Sequence, residues 1–340
     1  MTQEFLPSGA LALWRELLGL PAQDGFSPWP GHAAWLANLS PGLVADLVPH
    51  HPLDADTVQA ARLLGRYQQA RQLQALGWIA EAGVACVALK GFAAGFLYYP
   101  TPASRLLADL DLLVREAEIP TLVRALRQHG FRFGAAERTI WGFLSDASFM
   151  PFHSPDGNCN IDLHVKPDSY PLPLGLDTPA VFAQARQIMA GEQMVHVPSA
   201  PHQALILIAN LAKDKFAPSG LRKLLDLGRL LRHEHEFAWA ELIERAGRAR
   251  LGKALETSFA LMRGLGTPDD WLHEDLGRSR SAVLDRLLQD WCRQQPPSFW
   301  QRLEREWRLS AAPDVAARLA LRRMAGLIRP RSGVPQGLEG

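Results

Sequence analysis

Polar and apolar positions divide the chain into a helical opening, an alternating middle and a long helical end. Leu11, Leu13, Trp14, Leu17 and Leu18 fit one helical face, and residues 21–31 read as a loop. A stronger period predicts a helix over 56–82, through Leu63, Leu64, Tyr67, Ala70, Leu73, Leu76 and Ile79. Gly83 is placed to end it as a C-cap. Residues 84–89 form a short apolar run with β-branched members, which predicts a strand. Lys90-Gly91 follows, then a helix over 92–98 and a loop with Pro100, Pro102 and Arg105. Residues 106–114 are apolar except for Asp109 and Asp111, and predict a buried strand. An amphipathic helix over 118–129 ends at Gly130, and Phe131 opens another strand. Residues 148–153 and 160–165 read as a hairpin, with Pro155-Asp156-Gly157-Asn158 as its turn.

After Pro173 the helical period dominates. It predicts helices over 178–190, 202–213, 221–233, 239–249, 253–265, 281–294, 299–307 and 315–328, with one short strand at 194–197. The fold class expected is α+β: a short mixed sheet with flanking helices, plus helices at both ends. The division expected is an N-terminal helical segment (1–64), a catalytic core (65–175), a helical domain (176–330) and a flexible tail (331–340).

Composition narrows the function classes. The 340 residues are enough for a sizeable core, and the formal net charge is +1. That balance gives no general drive toward nucleic acid or anionic lipid. Cys86, Cys159 and Cys292 are far apart and form no CxxC pair, which argues against a zinc ribbon or a disulfide framework. No stretch is long enough to span a bilayer, and the first residues lack the basic region of a secretory signal, so a cytoplasmic location is expected. Arg318, Arg322, Arg323, Arg329 and Arg331 line the last helix, where positive charge suits a helix C-terminus.

The candidate chemistry lies in the middle. Side chains alternate along a strand, so Asp109 and Asp111 leave from one side. Two like charges there are costly without a compensating group, and a divalent cation is a natural one. Asp162, alone between Ile161 and Leu163 on another strand, is the candidate third carboxylate. Three such carboxylates suit two Mg²⁺ ions, or Mn²⁺ in their place, in an in-line displacement. The pair alone is equally served by a strand cap and an ion pair to Arg105. Lys90 and Gly91, between strand and helix, suit a triphosphate, since glycine lets backbone approach and a helix N-terminus favours negative charge. They equally suit an ordinary turn. Arg105 either contacts phosphate or neutralises the carboxylates. His164 and Lys166 share the Asp162 face and are candidate partners behind the site or phosphate contacts. Lys213 and Lys215 are candidates for the flanks of the cleft, and Arg222 with Asp226, one turn apart, suggests an ion pair along the helix.

The order Leu89-Lys90-Gly91, Leu97-Tyr98-Tyr99-Pro100, Arg105, Asp109-Leu110-Asp111-Leu112-Leu113-Val114 and Ile161-Asp162-Leu163-His164 resembles a bacterial nucleotidyltransferase family often labelled uncharacterised. That family belongs to the polymerase-beta-like nucleotidyltransferase superfamily. Leu221 to Leu227 also resembles its helical region, so the likeness spans roughly residues 65–235. It implies Asp109 and Asp111 as paired metal-binding carboxylates and Asp162 as the third, the base that prepares an acceptor hydroxyl. It implies Lys90 and Gly91 on the nucleotide side, and an NTP such as ATP as donor. Better-known superfamily members carry Gly-Ser at that turn, where this chain has Lys-Gly. The acceptor implied is specialised: a small molecule, a sugar or a modified peptide rather than nucleic acid. A catalytically inactive nucleotide-binding protein that keeps the fold is the alternative.

Overall fold

The computed structural model describes residues 6–21, 27–107, 109–134 and 147–328, with side chains of the last helix to residue 321. Part of the 21–31 loop, Ala108 within the 106–114 run, the 331–340 tail, Arg329 and Arg331 lie outside the described residues, as do the side chains of Arg322 and Arg323.

The chain opens with α1 (Ser8–Leu17), α2 (His32–Leu39), α3 (Pro41–Leu47) and the long α4 (Ala55–Glu81). Local chemistry sets the limits of α4. The Asp54 carboxylate accepts from the Thr57 N–H at 2.8 Å, and Gly83 takes the left-handed φ of +71° just beyond the end. The middle runs β1 (Cys86–Ala88), α5 (Lys90–Tyr98), β2 (Leu110–Val114), α6 (Ile119–Gln128), β3 (Arg132–Phe133), β4 (Phe152–His153) and β5 (Asn160–His164). Then come α7 (Thr178–Ala183), β6 (Arg186–Ala190), β7 (Gln193–Val197) and the helices α8 (Ala200–Lys213), α9 (Leu221–His233), α10 (Trp239–Arg248), α11 (Gly252–Gly264), α12 (Ala282–Arg293), α13 (Phe299–Arg305) and α14 (Pro313–Ile328).

One mixed sheet has the order β3-β4-β5-β2-β1-β7-β6. β2 is parallel to β5 and antiparallel to β1, and β7 is parallel to β1. The expected hairpin across 154–159 is present as antiparallel β4 and β5. The helix expected over 178–190 is not. It stops at Ala183, and residues 186–190 become β6, paired to β7 around a Gly191-Glu192 turn with Gly191 at φ +63°. A two-residue turn with glycine first is a favoured hairpin connection, and pairing outweighs the helix preference of Arg, Gln, Met and Ala. The helix expected over 299–307 ends at Arg305 and passes into a wider π turn, Glu306–Ser310.

The period of two on β2 divides the core. Leu110, Leu112 and Val114 pack with Ile79 of α4 and Leu122, Val123 and Leu126 of α6. Leu113 joins Val87 and Leu89 against the large helical body built on α8, α9 and α11. Asp111 shares the Leu113 face, so it leaves toward that body. The N-terminal helices dock on the same body through indole N–H groups. Trp14 donates to Thr267 Oγ1 at 2.9 Å, Trp29 to the Cys292 carbonyl at 2.8 Å and Trp35 to the Trp291 carbonyl at 2.9 Å. Among the described residues no helix is long and apolar enough to cross a membrane.

Candidate active site

Strand register brings the two strongest candidates together. β2 and β5 are parallel with Asp111 opposite Asp162 and Leu113 opposite His164. Neighbouring strands lie about 4.8 Å apart, so in-register carboxylates on one face are adjacent. Ligand atoms of Asp111, Asp162 and His164 all lie within 4.8 Å of one another. The His164 ring is buried. Its Nε2 lies 2.9 Å from Asp111 Oδ1 and 3.4 Å from Asp162 Oδ2, while Nδ1 has no partner among the described residues. Asp109 stands one residue before β2 begins, is exposed, and lies outside this tight group. Its carboxyl is pushed up to about 6, first by the charge of Asp111 and then by burial, against the pull of Lys90. Because Asp109 is exposed, we assign the rise to Asp111.

Lys90 arrives from the antiparallel neighbour. The Leu89 N–H donates to the Asp111 carbonyl at 2.9 Å, so the end of β1 delivers Lys90 beside Asp111. Lys90 Nζ donates to Asp111 Oδ1 at 2.6 Å and lies 3.9 Å from Asp168 Oδ2. Its backbone takes the left-handed φ of +51°, which costs a non-glycine residue. Gln203 of α8 holds it there. The Gln203 amide oxygen accepts from the Lys90 N–H at 3.2 Å, and its NH₂ donates to the Lys90 carbonyl at 2.7 Å.

These charges are matched. Burial alone would raise the Asp111 carboxyl, but Lys90 and His164 outweigh it and hold it well below the usual carboxylate range. Burial opposes the Lys90 charge, yet Asp111 and Asp168 keep its pKa above the ordinary value. For His164, burial and Lys90 oppose protonation, and hydrogen bonds to Asp111 and Asp162 turn the net shift upward. Asp168 follows the Asp111 pattern: burial is outweighed by Lys213 and Lys90, and the carboxyl sits well below its usual value.

Gly91, Arg105 and Lys166 take other positions. Gly91 lies in the first turn of α5, and a Cβ there would come 2.6 Å from Leu107 Cδ2 and 3.2 Å from Arg105 Nη2. Its missing side chain thus admits the loop that enters β2. Arg105 is buried and makes a two-pronged pair with Asp226, Nε to Oδ1 at 2.9 Å and Nη2 to Oδ2 at 2.7 Å. Tyr99 Oη donates to the same Oδ1 at 2.7 Å. Asp226 is therefore the partner of Arg105, and the expected Arg222–Asp226 ion pair is replaced: Arg222 donates to the Leu106 carbonyl at 2.9 Å. The loop carbonyl sits within reach of Arg222 and competes for it. Lys166 is half-buried just past the end of β5. Of the two lysines expected at the cleft, Lys213 donates to Asp168 Oδ1 at 3.1 Å, while Lys215 is buried against Glu306 at 3.2 Å.

Asp168 and Gln203 belong to none of the motifs in the sequence. Asp168 follows β5 in an irregular turn, 1% exposed, and accepts from Asn210 Nδ2 at 2.9 Å. Gln203 was visible only as a polar residue within the apolar run of α8, where burial demands partners.

The donor set fits a hard divalent cation. Lys90 and His164 both reach Asp111 Oδ1, so Asp111 Oδ2 has no donor among the described residues, and Asp162 stands in register beside it. Carboxylate oxygens with water and phosphate oxygens suit Mg²⁺, and an imidazole nearby also suits Mn²⁺.

Comparison with known proteins adds one finding. A search of curated proteins returns no match. The family described as uncharacterised nucleotidyltransferase matches residues 45–266, a span that holds β1, β2 and β5 with every residue of the site, and the chain belongs to that family.

Proposed function

We propose that the protein is a divalent-cation-dependent nucleotidyltransferase that moves an NMP group from an NTP to an acceptor hydroxyl or phosphate. The acceptor oxygen forms a bond to the α-phosphorus, the bond from that phosphorus to the bridging oxygen breaks, and pyrophosphate leaves. The observation that carries the reading is the in-register pair Asp111–Asp162 at a face shared with Lys90, within the span matched by the family. Asp111 and Asp162 would hold Mg²⁺, with Asp109 at the mouth. The cation supplies charge for the triphosphate and lowers the pKa of an acceptor hydroxyl. Asp162 takes the acceptor proton, and His164 beside it orients the carboxylate. Lys90 draws negative charge toward the reacting phosphate. Arg105 acts one layer back, fixing the entry to β2 through Asp226. The helices after residue 176 form the wall opposite the sheet and select the acceptor, a small molecule, sugar or peptide.

One observation favours a second reading, nucleotide binding without transfer. The Lys90 N–H, at the turn where a phosphate would be cradled, is already engaged by Gln203. Transfer from α-³²P-labelled NTPs with Mg²⁺ across a panel of sugars, peptides and small hydroxyl compounds separates the two. A labelled product that falls roughly hundredfold or more in Asp162→Asn, about 2.7 kcal/mol of barrier, supports transfer. Nucleotide binding with no labelled product from any acceptor supports the second reading.

A further inference from the structure

Two ions sharing one phosphoryl-transfer centre sit about 3.5–4 Å apart and are clamped by a carboxylate that offers one oxygen to each. Asp111 is the residue placed to bridge, with Asp162 beside it in register and Asp109 two positions earlier on the chain. Yet one of its oxygens is taken. Oδ1 accepts from Lys90 Nζ at 2.6 Å and lies 2.9 Å from His164 Nε2.

Lys90 is built into this position from three directions. Its backbone is clamped by both ends of the Gln203 amide, and Gln203 is fully buried. Its ammonium lies between Asp111 and Asp168. Asp168 is itself fixed by Asn210 at 2.9 Å, Lys213 at 3.1 Å and the Ser169 N–H at 2.6 Å. Moving the ammonium away to admit an ion would break its bond to Asp111, leave the buried Asp168 with Lys213 alone, and set two cations against each other beside one carboxylate, a costly state. A lysine that attended only the triphosphate would need none of this anchoring.

We infer that the Lys90 ammonium stands permanently in place of one of the two cations, so that the centre takes a single divalent ion. Gln203 at its backbone and Asp168 beside its ammonium keep Lys90 there. This rests on the nucleotidyl-transfer reading above, and it replaces the expected pair of Mg²⁺ ions with one ion and one lysine. The single ion lies on the Asp111 Oδ2 and Asp162 side.

The test counts ions rather than turnover. The full chain is saturated with an α,β-methylene NTP and titrated with Mn²⁺, with bound ions counted by equilibrium dialysis and their coupling read by electron paramagnetic resonance. The wild type should bind one Mn²⁺ per chain, with the spectrum of an isolated ion. Lys90→Met should bind two, with the exchange-coupled spectrum of a close pair. Should Lys90→Met fail to fold, Lys90→Gly suits the left-handed φ of that position, leaves Asp111 Oδ1 without the lysine and should give the same count of two. Two coupled ions in the wild type overturn the inference, as does a count of one in a folded Lys90 variant. A wild type that binds no Mn²⁺ with the analogue instead overturns the nucleotidyl-transfer reading on which the inference stands.

Discussion

At Asp111 a single carboxylate oxygen meets an ammonium and an imidazole, the other oxygen has no donor among the described residues, and Asp162 stands in register on the neighbouring strand. The geometry depends on Lys90 holding a backbone conformation that side chains disfavour, and Gln203 is the residue that holds it. Gln203→Ala removes both hydrogen bonds and leaves a buried N–H and carbonyl unpaired, which should cost roughly 1–3 kcal/mol in urea unfolding. A loss under a few tenths would mean that the turn holds itself. Asp111 and Asp162 were legible because a strand's period of two makes a lone acid in an apolar run conspicuous. Lys90 was legible as a residue at a strand-to-helix turn. Its pairing to Asp111 was not, because that depends on β1 lying antiparallel beside β2. Asp168 has no periodic context at all, and its role appears only when α8 brings Asn210 and Lys213 to it.

At the scale of elements, the loop entering β2 is tied to α9. Arg105 and Tyr99 converge on Asp226, and Arg105 and Arg222 both donate to the Leu106 carbonyl. Asp226→Ala leaves the buried Arg105 guanidinium without its counter-charge, which should cost about 3–5 kcal/mol. Replacing Arg105 and Asp226 together with apolar residues should cost less than Asp226→Ala alone, a comparison that urea unfolding of both variants makes. Equal losses would show that the pair itself, and not the stranded charge, sets the cost. The sequence suggested that Arg105 belongs near the site and that Asp226 belongs in an ion pair. It could not show that the two find each other across 121 positions. The same limit explains β6. Its residues favour a helix locally, and only pairing with β7 makes them a strand. Gly191 at the turn was the available signal.

At the scale of the whole molecule, one sheet separates two apolar cores, and tryptophan N–H groups fasten the N-terminal helices to the helical body. Two histidines within this assembly are held neutral. His51 is brought down to about 4 by burial and by the neighbouring His32 and His50. His202 is brought to about 4 by burial and Arg245, against the opposing pull of Glu241. The unfolded chain takes up these protons near pH 6.5, before the folded one does. Their contribution is therefore complete above about pH 6.5 and is lost as pH falls toward 4. Thermal unfolding should show a lower Tm at pH 5 than at pH 7.5, and His202→Gln should narrow the gap. A gap unchanged by that variant would remove His202 from the account. The α+β arrangement, most helices and the hairpin were legible because long amphipathic periods and turn residues are local signals. The sheet order was not, since β7 joins β1 from more than 100 residues away.

The proposed activity requires Asp111 and Asp162 to act together as one cation-dependent nucleotide site. Binding of a fluorescent, non-hydrolysable NTP analogue, measured with and without Mn²⁺, tests this in the wild type, in Asp111→Asn, in Asp162→Asn and in Asp156→Asn on the distant hairpin turn. Wild type and Asp156→Asn should bind in a Mn²⁺-dependent way, and each site variant should bind at least roughly tenfold more weakly, about 1.4 kcal/mol. Equal, Mn²⁺-dependent affinity in all four proteins would show that the nucleotide and its ion sit elsewhere.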